Sequence, residues 1–504
     1  MTHKQTNFIK QIDWATTIVP FVIVLCLMLV FMVFPEQSKI IVDNWRAFFG
    51  DTIGLYYSLI GIGCVLISLY WAFSKKYGGT ILGDNNVPRY SNFSWGTMIF
   101  TSTMAADILF YSLCEWALYG GEQHVSSLGS LQIWAPTFPL FHWGPIAWAS
   151  YVVLAVCFAY MIHVRKRERQ RFSEAMRPLF GDKVDGILGQ VIDITAVFAI
   201  VCATATTFSL ATPLLTKALS VVFGIPSTTT MTILILLLIC SVYTITVIFG
   251  VKGISKLASI CSYLFFALLF YFLFLGGETR YIIETGFSSL GNLAQNFIGL
   301  ATYIDPLRND TFAQDWTIYY WAYWLVWSIA TPFFIALISK GRTIKNVVLG
   351  TFGYGLAGTF MSFIIIGNYG LSLQLKHNVD IIGEIQHGDM YNAIMMIFET
   401  LPLPILALIL LVITMIAFYS TTLDGITYVA SAYSYKNLKP DEEPNKFIRV
   451  LWSVLFIIFP IALLFAENTL YSLQSVTIIA AFPVGILLIL VVWSFLKDFN
   501  TIQK

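Results

Sequence analysis

Two runs of aromatic residues are the most chemically suggestive feature of this 504-residue chain. One reads Trp143-Gly144-Pro145-Ile146-Ala147-Trp148-Ala149-Ser150-Tyr151, and the other Tyr319-Tyr320-Trp321-Ala322-Tyr323-Trp324-Leu325-Val326-Trp327. Rings at a membrane edge keep their polar tips wet, but rings stacked through the depth of two separate helices can enclose a cation. A desolvated cation over one ring face gains about 2 kcal/mol. A quaternary ammonium suits such a cage, because it has no N–H donor to leave unpaired. At about 100° per residue, Trp143, Trp148 and Tyr151 share one broad helical face. Tyr320, Trp324 and Trp327 form a narrower stripe, with Tyr323 beside it. Gly144 and Pro145 loosen the helix start and let the Trp143 indole turn inward. From spacing alone, ordinary packing or an interfacial belt accounts for these rings equally well.

A carboxylate, Asp107, follows Thr101-Ser102-Thr103-Met104-Ala105-Ala106 inside another apolar stretch. An ionised acid at bilayer depth costs about 2.5–3.5 kcal/mol even on insertion scales, so such residues are functional by default. Asp107 shares a stripe with Tyr111 and Cys114. A buried carboxylate holds its proton more tightly than a solvated one, which is what a proton carrier needs. The alternative is that Asp107 caps an irregular turn. Glu115 reads as structural, and Asp424 as structural or functional with equal weight.

The frame around these residues is a membrane. Hydrophobic residues make up 57% and charged residues 11%, against about 25% charged in soluble domains. Twelve apolar segments can each cross a hydrocarbon core of about 30 Å: near 15–34, 52–74, 93–119, 143–164, 187–216, 231–249, 258–276, 315–338, 345–370, 403–433, 447–466 and 472–496. The first reads as a retained helix rather than a cleaved signal. With both termini cytoplasmic, all but six of the 29 Lys and Arg fall on the cytoplasmic side, as the positive-inside rule requires. The cluster from Arg165 to Arg171 reads as a topological anchor. A net charge of +1 gives no reason to expect nucleic acid. The seven cysteines fall within expected spans and show no metal-site spacing. No soluble or regulatory domain is evident.

Polar interruptions in the long segments 93–119, 187–216 and 403–433 predict discontinuous helices, which occur where backbone lines a cavity. Residues 280–300 predict an amphipathic interfacial helix, and residues around Tyr391–Glu399 a short external helix. A membrane enzyme is disfavoured because the six histidines are scattered and form no ligand or nucleophile motif. A channel would need a filter loop or charged ring, and neither is present.

The stretch Phe141-His142-Trp143 through Tyr151 closely resembles the fourth-span signature of the betaine/choline/carnitine transporters. Asp315-Trp316 through Trp327, followed by Ile338-Ser339-Lys340-Gly341-Arg342-Thr343, resembles the eighth-span signature and its cytoplasmic turn. Asp193, Lys252-Gly253-Ile254 and Asn92-Phe93-Ser94 match further positions. The resemblance runs from about residue 10 to residue 497. It implies an all-α integral membrane protein of twelve transmembrane helices, with a 5+5 inverted-repeat core like that of the sodium-coupled amino-acid symporters. Two extra N-terminal helices lie in 1–92, the repeats in 93–276 and 315–496, an external interfacial helix and loop in 277–314, and a short tail in 497–504. It also implies a homotrimer and alternating access. By position, Trp143, Trp148, Tyr151, Trp324 and Trp327 match the family's cage, and Tyr320, Tyr323 and Tyr111 join them as candidate substrate contacts.

The chain departs from that pattern at Tyr323, where Trp is usual, and at Ile329, where Pro is usual. The glycine-rich unwound stretch of many members is here Thr103-Met104-Ala105-Ala106-Asp107. An aspartate in that slot resembles the proton-coupled choline transporters, which makes Asp107 the candidate proton-coupling residue. Ser420 and Thr421, with the Met104 carbonyl, match the sodium ligands of sodium-coupled members, and hydroxyls bonded back to the helix are the alternative. Carnitine exchangers carry an arginine at the position of Cys261, so exchange is disfavoured. The resemblance therefore implies a secondary active transporter of a trimethylammonium compound in the plasma membrane, with choline by proton symport first. Sodium-coupled betaine or carnitine uptake, or carnitine/butyrobetaine-type exchange, are the alternatives. No cofactor beyond H+ or Na+ is implied, and osmoprotection and nutrient supply both fit.

Overall fold

In the computed structural model, residues 11–248, 251–439, 442–463 and 470–502 are described. Among them, regular structure is helical, and the only extended pairings are two isolated bridges, Ile12 with Tyr435 and Ile81 with Thr343. Among the described residues, eight helices are long and apolar enough to cross a membrane, and eleven crossings result if each of three sharply bent helix pairs counts as one. All twelve expected segments overlap helices. A count of twelve is not established, because the eleventh segment falls on the 18-residue helix Lys446–Leu463, which is outside those eleven, and residues 464–466 lie outside the described ones. The expected turn at Lys252–Ile254 sits instead at the start of the helix Val251–Phe270.

The third crossing is the bent pair α1 (Asn92–Thr101) and α2 (Ala106–Gly120), which meet at 63°. The break uses no glycine. Ser102 Oγ donates to the Ile99 carbonyl (2.6 Å) and Thr103 Oγ1 to the Phe100 carbonyl (2.7 Å), so side chains compete with the helical ladder. Ala105 is then extended, at φ −123° and ψ 150°. The fourth crossing starts earlier than position 143. It is formed by α3 (Leu131–His142) and α4 (Pro145–Ala159), because the apolar run before Trp143 is itself helical and only Trp143 and Gly144 interrupt it. Pro145, which lacks an N–H, opens α4 at the first helical position, where none is needed.

Two expected discontinuities are absent. The helices α5 (Ile187–Phe223) and, later in the chain, Pro404–Tyr433 are continuous. Their polar residues are satisfied without breaking the helix: Thr204 Oγ1 donates to the Ile200 carbonyl at 2.7 Å, and Ser420 Oγ to the Ile416 carbonyl at 2.9 Å. The eighth crossing, in contrast, is broken between α6 (Ile318–Trp327) and α7 (Thr331–Ile338), bent by 53°. Pro332 in the first turn of α7 has no N–H for the Ser328 carbonyl. The remaining elements that position the site are α8 (Ile344–Ser362) and α9 (Pro404–Tyr433). The helices Thr279–Thr302 and Met390–Glu399 form where the sequence predicts helices.

Arg171, at the end of the Arg165–Arg171 cluster, is a packing residue. It is 4% exposed and donates to Asp13 Oδ2 at 3.0 Å, Asp193 Oδ2 at 3.2 Å and the Tyr433 carbonyl at 2.8 Å. One guanidinium thus joins the first helix, the start of α5 and the end of α9. Breaking a buried ion pair from one side strands the other charge, at a cost of about 3–5 kcal/mol. Arg171→Ala is therefore expected to lower the thermal midpoint of the purified protein in detergent by several degrees, whereas Lys166→Ala, on an exposed side chain, leaves it unchanged.

Candidate functional site

Three helix breaks, at 102–105, 143–144 and 328–330, bring the sequence-predicted rings together. α4 is buried at every residue after Pro145, so Trp148 and Tyr151 face protein rather than lipid. Trp324 lies among them, with ring centroids 5.6 Å from Trp143, 5.5 Å from Trp148 and 4.9 Å from Tyr151. Tyr320 is 5.6 Å from Trp143 and 5.7 Å from Tyr111, and Tyr111 is 5.6 Å from Trp143. Tyr323 lies 6.1 Å from Trp143. Trp327 is at the margin, half-buried and touching Tyr323 at 6.5 Å. All eight predicted contacts therefore form one continuous cluster across α2, α4 and α6 and the break before α4.

The rings pack mainly tilted or edge-on against one another. A cation held between two faces must lie within about 6 Å of each centroid. Centroids 5–6 Å apart are already in mutual contact, so the cage is closed on itself and a bound cation requires ring movement. The indole N–H groups of Trp148, Trp324 and Trp327 are buried without a hydrogen-bond partner. A buried unpaired donor costs about 1–3 kcal/mol, and an acceptor atom would relieve it.

Asp107 sits in the first turn of α2, 8% exposed. Its Oδ2 accepts from the Tyr323 hydroxyl at 2.5 Å and its Oδ1 from the Ile108 N–H at 3.0 Å. Thr207 Oγ1 on α5 lies 2.6 Å from the same Tyr323 oxygen and completes the chain as donor. A helix N-terminus favours negative charge, so the α1–α2 break presents a carboxylate to the cage through Tyr323. The Tyr that replaces the usual Trp is thus the side chain that joins acid to rings.

The other candidates are placed as follows. Thr421 Oγ1 donates to the Phe418 carbonyl at 2.9 Å, as Ser420 does one turn back. The Cys261 thiol is 3.9 Å from the Thr421 hydroxyl. Met104 is in the break, and α2 packs against α9. Hydroxyls that donate to their own helix keep oxygen lone pairs free to accept. Among the described residues, no three His, Cys, Asp or Glu side chains are grouped to hold a metal. Asp424 pairs with Arg449 of the following helix, which favours its structural reading.

Sequence reasoning missed two supports. Glu115, wholly buried, accepts at Oε2 from Trp143 Nε1 at 2.7 Å, so the acid read as structural anchors a cage ring. Gly355 on α8 lies against Trp148, and a Cβ there would stand 2.7 Å from the indole. The signal for the first was an acid placed eight residues beyond Asp107 on the same helix, which sequence alone could not pair with Trp143. Gly355→Val is expected to displace Trp148 and raise the substrate KM at least about tenfold, equivalent to about 1.4 kcal/mol. Gly353→Val, where a Cβ meets open space, leaves KM unchanged. Saturation kinetics of uptake distinguish the two variants.

The model of the betaine/carnitine/choline family of transporters matches residues 15–504, nearly the whole chain. The chain is a multi-pass membrane protein with the apolar helices that such transport requires, and the family carries quaternary ammonium compounds by secondary transport. This protein belongs to the betaine/carnitine/choline family of transporters.

Proposed function

We propose that this chain imports choline by proton symport. The observation that carries this reading is the Asp107–Tyr323 hydrogen bond, which attaches an acid to the aromatic cage. At an effective dielectric of about 20 and about 6 Å, a unit cation and a carboxylate attract by about 3 kcal/mol, about a hundredfold in affinity. A pure cation keeps that gain. A zwitterion such as betaine offsets it through its own carboxylate. Choline's hydroxyl supplies an acceptor for one of the unpaired indole N–H groups of Trp148, Trp324 and Trp327. For symport, ionised Asp107 binds choline from outside, takes up an external proton while the cation is bound, and so weakens its hold; choline and then the proton leave to the inside, and the ionised carrier returns.

A sodium-coupled betaine reading has its own support. Three unpaired indole donors suit a carboxylate, and the Ser420 and Thr421 oxygens suit a hard cation. The Asp107 charge weighs against it. The inverted-repeat core, a homotrimer, a plasma-membrane location and cytoplasmic termini complete the proposal by family analogy.

Proteoliposomes with pH and sodium gradients imposed separately test both readings. Labelled choline is expected to accumulate when the lumen is alkaline, without sodium, and Asp107→Asn is expected to abolish pH-driven accumulation while leaving exchange across equal pH. Accumulation that requires sodium, or an unchanged Asp107→Asn, refutes the proton reading.

A further inference from the structure

A second buried acid–base chain lies on the far side of the cage from Asp107. Glu115 and Tyr119 are one turn apart on α2, His142 ends α3, and Thr317 precedes α6. The first three are fully buried and Thr317 is 5% exposed. Tyr119 Oη bonds Glu115 Oε1 and lies 2.6 Å from His142 Nδ1, while His142 Nε2 lies 3.0 Å from Thr317 Oγ1. The Glu115 carboxylate and the imidazole are 4.0 Å apart, with the phenol oxygen between them. Both ends touch the cage: Trp143 donates to Glu115 Oε2, and the His142 ring stacks on Tyr320 with centroids 4.8 Å apart and planes at 10°.

We propose that Glu115, Tyr119 and His142 form a proton wire that sets the strength of the Trp143 anchor. This inference rests on the transport reading for its purpose, though not for its chemistry. With Glu115 ionised, the Tyr119 hydroxyl donates to Oε1, the His142 Nδ1–H donates to the Tyr119 oxygen, and the Thr317 hydroxyl donates to Nε2. A proton taken up at Nε2 lets Nδ1 pass its proton to Tyr119, and Tyr119 pass its own to Glu115. The result is a neutral carboxylic acid, a neutral phenol and a neutral imidazole carrying its hydrogen on Nε2, with Thr317 now accepting. One proton enters and one arrives at Glu115, and no other group changes charge. Trp143 then donates to a neutral carbonyl oxygen instead of a carboxylate, a weaker bond, and its grip on the cage loosens.

The entry of this wire lies beside His124 and Phe312, on the outer side in the proposed orientation. Phe312 stacks between His142 (6.4 Å) and His124 (4.7 Å). His124 pairs with Asp310, Glu122 accepts from Trp316 Nε1 at 2.8 Å, and Arg46 pairs with Asp315 at 3.1 Å. On α6, Tyr320 stacks on His142 and Tyr319 stands 5.0 Å from Tyr320; on α2, the Tyr111 hydroxyl lies 2.9 Å from that of Tyr319 and the Cys114 thiol turns back to the Phe110 carbonyl. Asp310 and Asp315 are thus paired with His124 and Arg46, Glu122 is taken up by the Trp316 indole, and His142 is the basic group next to the cage.

Infrared titration of the purified protein in lipid vesicles, without substrate, tests the wire directly. A protonated-carboxyl band is expected to grow on acidification and to vanish in Glu115→Gln; carbon-13 glutamate identifies the band where that variant does not fold. Tyr119→Phe, which keeps the ring and removes only the bridging oxygen, and His142→Gln are each expected to move the midpoint by about one pH unit or more. In uptake assays the same two variants flatten the dependence of KM on external pH while kcat at the optimum changes less than about threefold. A titration midpoint unchanged in both variants overturns the wire. A shifted midpoint in a protein that moves no choline overturns the transport reading and leaves the wire standing.

Discussion

Backbone amides at membrane depth have no water to bond, so a helix can break there only where protein replaces the lost partners. Much of this site follows from that constraint. The break before α2 is satisfied by Ser102 and Thr103 bonding back to Ile99 and Phe100. The Trp143 carbonyl, freed between α3 and α4, accepts from Thr359 on α8 at 3.2 Å. The Ser328 hydroxyl turns back to the Leu325 carbonyl at 2.6 Å as α6 ends. Each break releases one helix from a straight path, and the released residues are those that reach the cage: Asp107, Trp143 and Trp327.

The rings and the acid divide the work. Aromatic faces attract any methylated ammonium and scarcely distinguish what it is attached to. In the proposed reading a carboxylate linked to the cage through Tyr323 does distinguish, because its sign rewards a cation and penalises an anionic tail. On the opposite side, Glu115 holds the Trp143 indole. On the proposed account, ring packing supplies shape, while two buried carboxylates decide how that shape responds to charge.

Much of this was legible in the sequence. Ring spacing on the fourth and eighth segments singled out the rings, with packing an equal alternative until the family resemblance favoured a cage, and Asp107 stood out because a charge in an apolar run is expensive. The helix Thr279–Thr302 was visible as mixed apolar and polar periodicity. What stayed hidden depended on pairing across long sequence separations. Polar residues in α5 and α9 suggested breaks, but their hydroxyls were absorbed by the turn below and Asp424 by Arg449. Pro332, just beyond the aromatic stripe, broke α6 from α7 in a segment where no interruption was expected from the sequence. Gly355 mattered only through Trp148, two hundred residues away in the chain.

The most direct test of the central claim is the movement of protons driven by choline itself. Proteoliposomes loaded with a pH-sensitive dye, with no initial gradient, would receive choline outside. The account predicts lumenal acidification that saturates with choline, that is absent with betaine at equal concentration, and that is lost in Asp107→Asn. Choline entry with no change in lumenal pH, or equal acidification with betaine, would contradict it.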